Sequence, residues 1–412
     1  MRLSPRWITT AVLAATVSSG LALAPPAIAL PDDPQIDALL QKRIGNPRIG
    51  SDVGMILLDG ATGAVVSAHD PDALMLPASN MKIVTAVDVL STMGADARLT
   101  TRVRAGSVPN EVILEGGGDP LLSSGDLQTM ATRVAKTLTA DVRVVVRVDD
   151  DLFPPTDRGP GWTTGYVPSE AASVEALARL GDYSRDPSTN AARVFVKTLR
   201  SLGFRVTIGE TANADPAAAV LAESQSTVED AVSVMLSHSE NNVAEVLYRQ
   251  VAVASGIEPT WNGARRAAEK ALAALGIDTT GMSLLDGSGL SRKDRLSPRF
   301  LASVLRMAKI TNPTPFATMF ESEAMPVSGQ TGTLATAYGR YVTKHARCAR
   351  GDVRAKTGSL FDTIALSGVV ETTTGGERLF SVLVNDRPQR FSALSARQAL
   401  DGLTATMTGC WD

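Results

Sequence analysis

Apolar positions at the start of the chain alternate between short runs and a stretch with helical spacing. Residues 54–59 form one apolar run and, after a glycine-rich turn, 64–69 form a second, which predicts two paired strands. Apolar side chains then recur at helical spacing over 80–93, and Gly94 marks the end of that helix.

The pattern of apolar positions changes near residue 98, where short strand-like runs alternate with glycine and proline. Helical spacing returns near residue 222. Toward the end, 364–370 and 379–384 flank a turn as the strands of a hairpin do, and a last helix covers about 393–406.

Strands at both ends of the chain can join in one sheet with helices packed on it, which is an α/β arrangement. We therefore predict a main domain formed by 30–97 and 222–412, interrupted by an inserted, strand-rich second domain over 98–221.

The composition is that of a folded protein. Of 412 residues, 44% are hydrophobic and 20% are charged, and the formal net charge is −3. This balance excludes a disordered chain and contains no basic stripe of the kind that nucleic-acid binding requires. We expect no nucleic-acid partner.

The N-terminal segment has the features of an export signal. Arg2 and Arg6 precede a mostly apolar stretch over 7–24, and Ala29 ends a small-x-small pattern that signal peptidase recognises. We predict that 1–29 is a cleaved signal peptide, which places the mature protein outside the cytoplasm. An uncleaved membrane anchor is the alternative.

The chain has two cysteines, Cys348 and Cys410. In an exported protein the default is a disulfide. It would close a loop of about 62 residues and contribute roughly 4 kcal/mol in the chain-entropy model. Two separate buried thiols are the alternative.

The first candidate for chemistry is the S-x-x-K motif of Ser79 and Lys82. Ser79 follows a Pro-Ala turn at the start of the predicted helix, and a residue three positions on lies on the same helical face. A serine hydroxyl needs an adjacent base, and a lysine with a pKa lowered by burial can serve. The alternative is a helix-capping serine beside a solvated surface lysine.

The second candidate is the S-x-N motif of Ser239 and Asn241, at the junction of two predicted helices. Its alternative is a plain helix N-cap, because serine and asparagine are preferred there.

The third candidate is Lys356-Thr357-Gly358, followed by Ser359 and the strand predicted over 364–370. An edge strand with lysine and threonine can bind a terminal carboxylate by charge and a hydroxyl contact, and the glycine lets a substrate backbone come close. The alternative is a charged edge with a turn glycine.

Other catalytic chemistries have little support. The three histidines, His69, His238 and His345, are not spaced for zinc, and no H-E-x-x-H or G-x-S-x-G motif occurs. His238 adjoins Ser239, but adjacent helical residues point to different faces. We expect no metal and no cofactor.

Together the three motifs resemble those of penicillin-binding proteins and serine β-lactamases. Three further runs narrow the resemblance to the D-alanyl-D-alanine carboxypeptidase/endopeptidase family, the class C low-molecular-mass penicillin-binding proteins. These runs are Gly-Gly-Gly-Asp-Pro-Leu at 116–121, Asp-Gly-Ser-Gly-Leu-Ser at 286–291 and Gly-Thr-Leu at 332–334. The resemblance covers essentially the whole mature chain. It implies a penicillin-binding, transpeptidase-like fold with an insertion between the first two motifs.

The resemblance also implies roles for the motif residues. Ser79 attacks the D-Ala-D-Ala carbonyl and forms an acyl-enzyme, and Lys82 is the base for that attack. Ser239 relays a proton to the departing amine, while Asn241 orients Lys82 and the substrate amide. The implied function is a serine D-Ala-D-Ala carboxypeptidase, with endopeptidase cleavage of crosslinks as a second activity.

The third motif binds the substrate in this family. Lys356 and Thr357 are expected to hold the terminal carboxylate, and the backbone N–H groups of Ser79 and Ser359 to form the oxyanion hole. A β-lactam is expected to enter in the same way and to stay attached. The implied partners are peptidoglycan stem peptides and β-lactams, with a loose membrane or cell-wall association.

Two positions depart from the family pattern for contacts to diaminopimelate in the stem peptide. Many members have an acidic residue after the tryptophan of the inserted domain and an arginine three residues after G-T-L. Here a Thr-Thr-Gly run follows Trp162 where the acidic residue is expected. Ala337 stands at the position of the arginine, and Arg340 is the candidate to replace that arginine.

Two other functions are compatible with these motifs. A β-lactamase or esterase would release the acyl group quickly, which class A β-lactamases do with a dedicated glutamate and a water, and no matching signature occurs here. A catalytically silent cell-wall binding protein is the alternative from another class, and the intact Ser79/Lys82 pair argues against it.

Overall fold

The computed structural model describes residues 33–156 and 158–411. The predicted signal peptide over 1–29 lies outside the described residues. Among the helices that are described, none combines the length and the apolar character that a bilayer span requires.

The described residues contain ten strands, which in chain order are β1 (Val53–Asp59), β2 (Val65–His69), β3 (Arg98–Ala105), β4 (Glu111–Gly116), β5 (Val144–Asp149), β6 (Val206–Ile208), β7 (Val220–Thr227), β8 (Val353–Ser359), β9 (Ile364–Glu371) and β10 (Glu377–Val384). The α-helices of the same part of the chain are α1 (Asp33–Ile44), α2 (Met81–Met93), α3 (Ser124–Ala135), the single turn α4 (Tyr166–Ser169), α5 (Pro187–Ser201), α6 (Val228–Ser237), α7 (Asn241–Ala254), α8 (Trp261–Ala274), α9 (Pro298–Arg306) and α10 (Ala393–Met407).

Five strands from the two ends of the chain form one antiparallel sheet, here called the main sheet. Its order is β2-β1-β10-β9-β8, so β8 is an edge strand. The prediction that the first and last strand pairs share one sheet is confirmed. The central strands β1, β9 and β10 are almost entirely buried, because helices cover the sheet on both faces.

Two separate apolar cores lie against the main sheet. On one face α1 and α10 pack over the strands. On the other face α2 and α9 pack over the strands, and α6, α7 and α8 extend the same core behind them. The mixed α/β fold expected from the sequence is confirmed.

The other five strands form a second sheet, here called the inserted sheet, in the order β6-β5-β4-β3-β7. Strands β4, β5 and β6 are parallel, since α3 and α5 provide the crossover connections that parallel strands need. These helices share a third apolar core with the sheet. Strand β7 continues past residue 221 and pairs with β3, so we propose that the inserted segment ends at Thr227.

A disulfide joins Cys348 to Cys410, with their Cα atoms 5.9 Å apart. It connects the 3₁₀ turn before β8 to the chain just after α10. The predicted pairing is confirmed, and the alternative of two separate thiols is wrong.

Candidate active site

Ser79 lies in a tight turn between β2 and α2. A 3₁₀ turn covers Ala78–Asn80, and α2 begins at the next residue. Ala78 has a φ of +45°, a left-handed conformation that is strained for a residue with a side chain. The cap residue of α2 is Asn80. The alternative of a helix-capping serine at position 79 is therefore wrong.

Lys82 lies in the first turn of α2 and has no exposed surface. Its Nζ atom is 3.0 Å from Oγ of Ser79. The amine also donates hydrogen bonds to Oδ1 of Asn241 at 2.7 Å and to the backbone carbonyl of Ser288 at 3.0 Å. The alternative of a solvated surface lysine is wrong.

Lys82 loses its proton more easily than a lysine in water does. Burial lowers its pKa to about 8, because the charged form loses its hydration. The carboxylates of Glu245, Asp286 and Glu240 oppose this effect. The result is an amine that exchanges its proton close to neutral pH, as a general base must.

The loop over 286–291 provides the carbonyl that binds Lys82, and two buried carboxylates hold this loop. Glu245 accepts N–H bonds from the two residues that follow Asp286, at 3.0 and 2.8 Å. Asp286 itself accepts N–H bonds from the residues three and five positions further on, both at 2.7 Å. Burial raises the pKa of both carboxyl groups, and the N–H bonds act in the opposite direction. The loop is thus fixed by the acids beneath it.

Ser239 and Asn241 occupy the short junction between α6 and α7. Ser239 has a φ of +60°, a second strained residue beside the cavity. The N-cap of α7 is Glu240, whose side chain accepts the N–H two residues on, so the plain N-cap alternative is wrong for Ser239. The Nδ2 atom of Asn241 donates to the carbonyl of Glu170 at 2.8 Å, which fixes the orientation of its amide.

Lys356 and Thr357 lie on the edge strand β8. Lys356 has no exposed surface, and its amine donates to the carbonyl of Thr357 at 3.0 Å. Burial, followed by the positive charge of Lys82, lowers the pKa of Lys356 well below its ordinary value. Asn80 donates its side-chain N–H to the carbonyl of Lys356 at 3.0 Å, which ties the turn that carries Ser79 to this strand. The alternative of a solvated charged edge is wrong.

Gly358 lies where β8 passes close to the turn that carries Ser79. A Cβ atom at this position would lie 3.0 Å from the carbonyl oxygen of Pro77 and 3.1 Å from Nδ2 of Asn80. The missing side chain therefore makes room for that turn, and the close approach of a substrate backbone at Gly358 stays a prediction. Beside it, Ser359 donates its hydroxyl to the carbonyl of Gly358 at 2.7 Å.

The polar side chains of the three motifs meet in one cavity of about 660 Å³. The motif residues in its wall are Ser79, Ser239, Asn241, Thr357 and Ser359. The amines of Lys82 and Lys356 are buried. A separate cavity of about 710 Å³, between α1 and α10, is lined by none of the motif residues.

Three further residues contact the motifs or the loop over 286–291 that binds Lys82. Thr333 shares a hydrogen bond with the hydroxyl of Thr357 at 2.8 Å, and the G-T-L run had pointed to it. Glu245 was detectable as a single acid within an apolar stretch of α7. Arg397 donates its Nε–H to Oγ of Ser359 at 3.2 Å, and no signal in the sequence of α10 indicated this contact.

Comparison with known proteins decides the family. The family model for the D-Ala-D-Ala carboxypeptidase 3 (S13) family matches residues 36–176 and 163–407. The chain belongs to this family. This S13 peptidase is therefore a serine-type D,D-peptidase, which confirms the function expected from the motifs.

Relatives of this S13 peptidase are similar over most of their length. It is 31% identical over 399 residues to the carboxypeptidase DacB of Mycolicibacterium smegmatis, covering 90% of this chain and 83% of that protein. It is also 31% identical over 425 residues to a carboxypeptidase of Mycobacterium tuberculosis, and the match covers 96% of this chain and 88% of that protein.

A solved structure has the same fold. Penicillin binding protein 4 of Haemophilus influenzae superposes with a TM-score of 0.76 at 20% identity, covering 90% of this S13 peptidase and 99% of that chain. The structure of the same protein complexed with a β-lactam gives a TM-score of 0.70 at 19% identity, covering 89% and 98%. The expected penicillin-binding fold is confirmed.

In this S13 peptidase Ala337 stands where many family members have an arginine, and the structure shows the surroundings of Arg340, the candidate to replace it. Arg340, the candidate replacement for the arginine missing at Ala337, is 3% exposed. Its Nε–H contacts both carboxylate oxygens of Asp401, at 3.0 and 3.1 Å. This pairing neutralises the guanidinium at the cavity wall and leaves it poorly placed to bind a substrate carboxylate.

Proposed function

We propose that the chain hydrolyses the terminal D-Ala-D-Ala bond of peptidoglycan stem peptides through an acyl-enzyme on Ser79. The observation that carries the proposal is the 3.0 Å contact between Oγ of Ser79 and the buried amine of Lys82. Nucleophile and base are thus in hydrogen-bond reach, and burial provides the shifted pKa that the base requires.

The orientation of Lys82 supports its role as the base. A neutral amine has two N–H groups and one lone pair. The acceptors Asn241 and Ser288 take the two N–H groups, so the lone pair is left for the hydroxyl of Ser79. In the proposed step the serine proton moves to Nζ of Lys82 as the Oγ–carbon bond forms.

The departing amine needs a proton, and Ser239 is in the same cavity wall. We assign Ser239 the relay of this proton to the D-Ala nitrogen as the carbon–nitrogen bond breaks. Asn241 keeps Lys82 in register through its Oδ1 atom. A water molecule then attacks the ester carbonyl and gives one proton to Nζ of Lys82, which passes it to Oγ of Ser79 as the ester bond breaks and the acid product leaves.

The substrate carboxylate is assigned to the end of β8. Thr357 and Ser359 present their hydroxyls on the cavity side of this edge strand, and Lys356 lies behind them. We assign the oxyanion hole to the backbone N–H groups of Ser79 and Ser359, where loss of one donor typically costs about 10²–10³ in rate.

The same chemistry extends to two further ligands. In a peptide crosslink the D-Ala carbonyl is bonded to an amine of the neighbouring stem peptide, so endopeptidase cleavage requires no new catalytic group. A β-lactam presents a reactive amide and a carboxylate, and the related penicillin binding protein 4 has been solved with one. Such substrates place the working enzyme outside the cytoplasmic membrane, in contact with the cell wall.

The test is covalent labelling of the intact protein. Mass spectrometry after incubation with benzylpenicillin should show one added penicillin on the wild type and none on Ser79→Ala. Ser91→Ala, an exposed change on the same helix, should label like the wild type. Equal labelling of the wild type and Ser79→Ala would overturn the assignment of the nucleophile.

A second measurement distinguishes the peptidase from a β-lactamase or esterase. Release of D-Ala from a D-Ala-D-Ala peptide, together with a persistent penicillin adduct, is the expected result. Rapid turnover of a chromogenic β-lactam with no lasting adduct would favour the β-lactamase or esterase. Binding of peptidoglycan with no release of D-Ala would instead indicate a silent binding protein.

A further inference from the structure

Two guanidinium groups, those of Arg340 and Arg397, line the cavity. Asp401 neutralises Arg340, as described above. Arg397, in the first turns of α10, has no carboxylate partner within residues 33–156 and 158–411. The charges that act on it are those of Arg340 and Arg387, and both are positive. A half-buried cation without an acidic hydrogen-bond partner in this part of the chain is an incomplete arrangement, since such groups are normally paired.

Arg397 is placed at one end of the carboxylate site proposed on β8. Side chains alternate along a strand, so Thr357 and Ser359 share the face that lines the cavity. The Nε–H of Arg397 bonds to Oγ of Ser359 at 3.2 Å. That bond uses one of five guanidinium N–H groups, and neither terminal nitrogen has a protein partner among the described residues. The terminal nitrogens are therefore available to a ligand that also touches the two hydroxyls.

Lys356 lies behind the strand and not in the cavity wall. Its amine is buried and donates to the carbonyl of Thr357. A guanidinium stays protonated under all ordinary conditions and matches the two oxygens of a carboxylate with two parallel N–H bonds. Arg397 is thus the group in the wall best suited to a carboxylate beside Ser359.

We propose that Arg397 binds the carboxylate of the leaving side of the substrate, on the carbon that is bonded to the scissile nitrogen. In a stem peptide this is the terminal carboxylate of D-Ala, and in a penicillin it is the ring carboxylate. The inference rests on the proposed function, because it takes the acylation of Ser79 and the carboxylate site on β8 as given. Arg397 then determines specificity for substrates with a free carboxylate at that position.

The experiment compares acylation by benzylpenicillin with acylation by its methyl ester, a neutral probe. Second-order acylation constants are measured for the wild type, Arg397→Gln and Arg397→Lys. Arg390→Gln is the matched control, because it removes the same charge from an exposed arginine outside the cavity wall.

For Arg397→Gln we expect the constant for benzylpenicillin to fall about 30- to 100-fold, as for a hydrogen-bonded charge pair that loses one partner. The constant for the ester should change less than about threefold, since the lost contact involves the carboxylate alone. Arg397→Lys should retain part of the preference for benzylpenicillin over its methyl ester. Arg390→Gln should retain that preference in full. Acylation by the ester also reports that the variant is folded.

Different results overturn different claims. Equal losses with the acid and the ester would mean that Arg397 only positions Ser359, and would overturn this inference while the proposed function stands. A loss confined to D-Ala-D-Ala peptides with diaminopimelate, and absent when lysine replaces it, would also overturn the inference, because Arg397 would then contact the stem side chain. Failure of the wild type to react with either penicillin would overturn the proposed function, and the inference with it.

Discussion

The indole nitrogen of Trp162 donates a hydrogen bond to Oδ2 of Asp286 at 2.7 Å, and both residues are buried. Trp162 belongs to the inserted segment, whereas Asp286 opens the loop whose third residue, Ser288, binds the amine of Lys82. The inserted segment is therefore connected to Lys82, the proposed base, by one hydrogen bond to Asp286 and by the loop that runs from Asp286 to Ser288.

We predict that Trp162→Phe lowers acylation by benzylpenicillin about tenfold and lowers the free energy of unfolding by roughly 1–3 kcal/mol, because a buried acceptor loses its donor. Stopped-flow acylation and urea unfolding measure the two effects. Trp261→Phe is the matched control, since Trp261 packs against Trp162 and its indole N–H has no hydrogen-bond partner among the described residues. Equal effects of the two changes would show that the indole ring matters and the hydrogen bond does not.

Gly289 is the second connection between this loop and Ser79. A Cβ atom there would lie 1.9 Å from the carbonyl oxygen of Ala78, and the glycine has a φ of +81°. Gly289→Ala should displace the turn that carries Ser79 and reduce acylation about 10²-fold, the cost expected for a misplacement of about 1 Å.

Gly281→Ala separates the steric effect from backbone strain. Gly281 has a φ of +79°, but a Cβ atom there meets nothing within 4 Å. Both alanine variants should lose about 1–2 kcal/mol of stability from the left-handed conformation, and only Gly289→Ala should have the additional steric cost and lose acylation. A comparable loss of acylation in Gly281→Ala would contradict the steric explanation.

The pH dependence of acylation follows from the shifted pKa of Lys82. Burial lowers that pKa to about 8, and only the neutral amine has a lone pair for the serine proton. Acylation should therefore be highest above pH 8 and decrease about tenfold for each pH unit below it. Rates measured from pH 5.5 to 9.5 test this. A flat profile would exclude Lys82 as the base.

Glu245→Gln should move this profile. Among the opposing charges Glu245 has the largest effect, so its removal should lower the pKa of Lys82 further and shift the acid limb to lower pH. An amide accepts at one atom only, so one of the two N–H bonds to the loop is also lost and the maximal rate should fall.

The control for this change is Glu258→Gln, the same substitution at an exposed site. It should leave both the acid limb and the maximal rate unchanged. If Glu245→Gln lowered the rate without moving the limb, the carboxylate would hold the loop but would not set the pKa of Lys82.

Local periodicity was sufficient for most elements of the fold. The apolar run at 54–59 is β1 (Val53–Asp59), and the helix expected at 80–93 is α2 (Met81–Met93). Periodicity does not predict helix α3, because half of its residues are polar, although the capping box of Ser123 and Asp126 marks its start. Strand β7 was also missed, since it is a partly exposed edge strand with no apolar alternation.

The sequence by itself was enough to propose Ser79 as the nucleophile and Lys82 as its base. Ser79 and Lys82 are three positions apart, and one helical turn brings such residues together in almost any context. The order of the motifs was likewise enough to indicate the family, because both properties are encoded locally or in the linear arrangement of the chain.

Only the tertiary structure decided which distant groups surround that pair. Lys82 contacts partners 159 and 206 positions further along the chain, and its own burial among such distant segments lowers its pKa. Tertiary contacts also decide that Arg340 pairs with Asp401. They likewise leave Arg397 without an acidic partner among the described residues. Burial and charge act through space. The neighbours of a side chain depend on how distant segments pack together, and the linear pattern does not specify that packing.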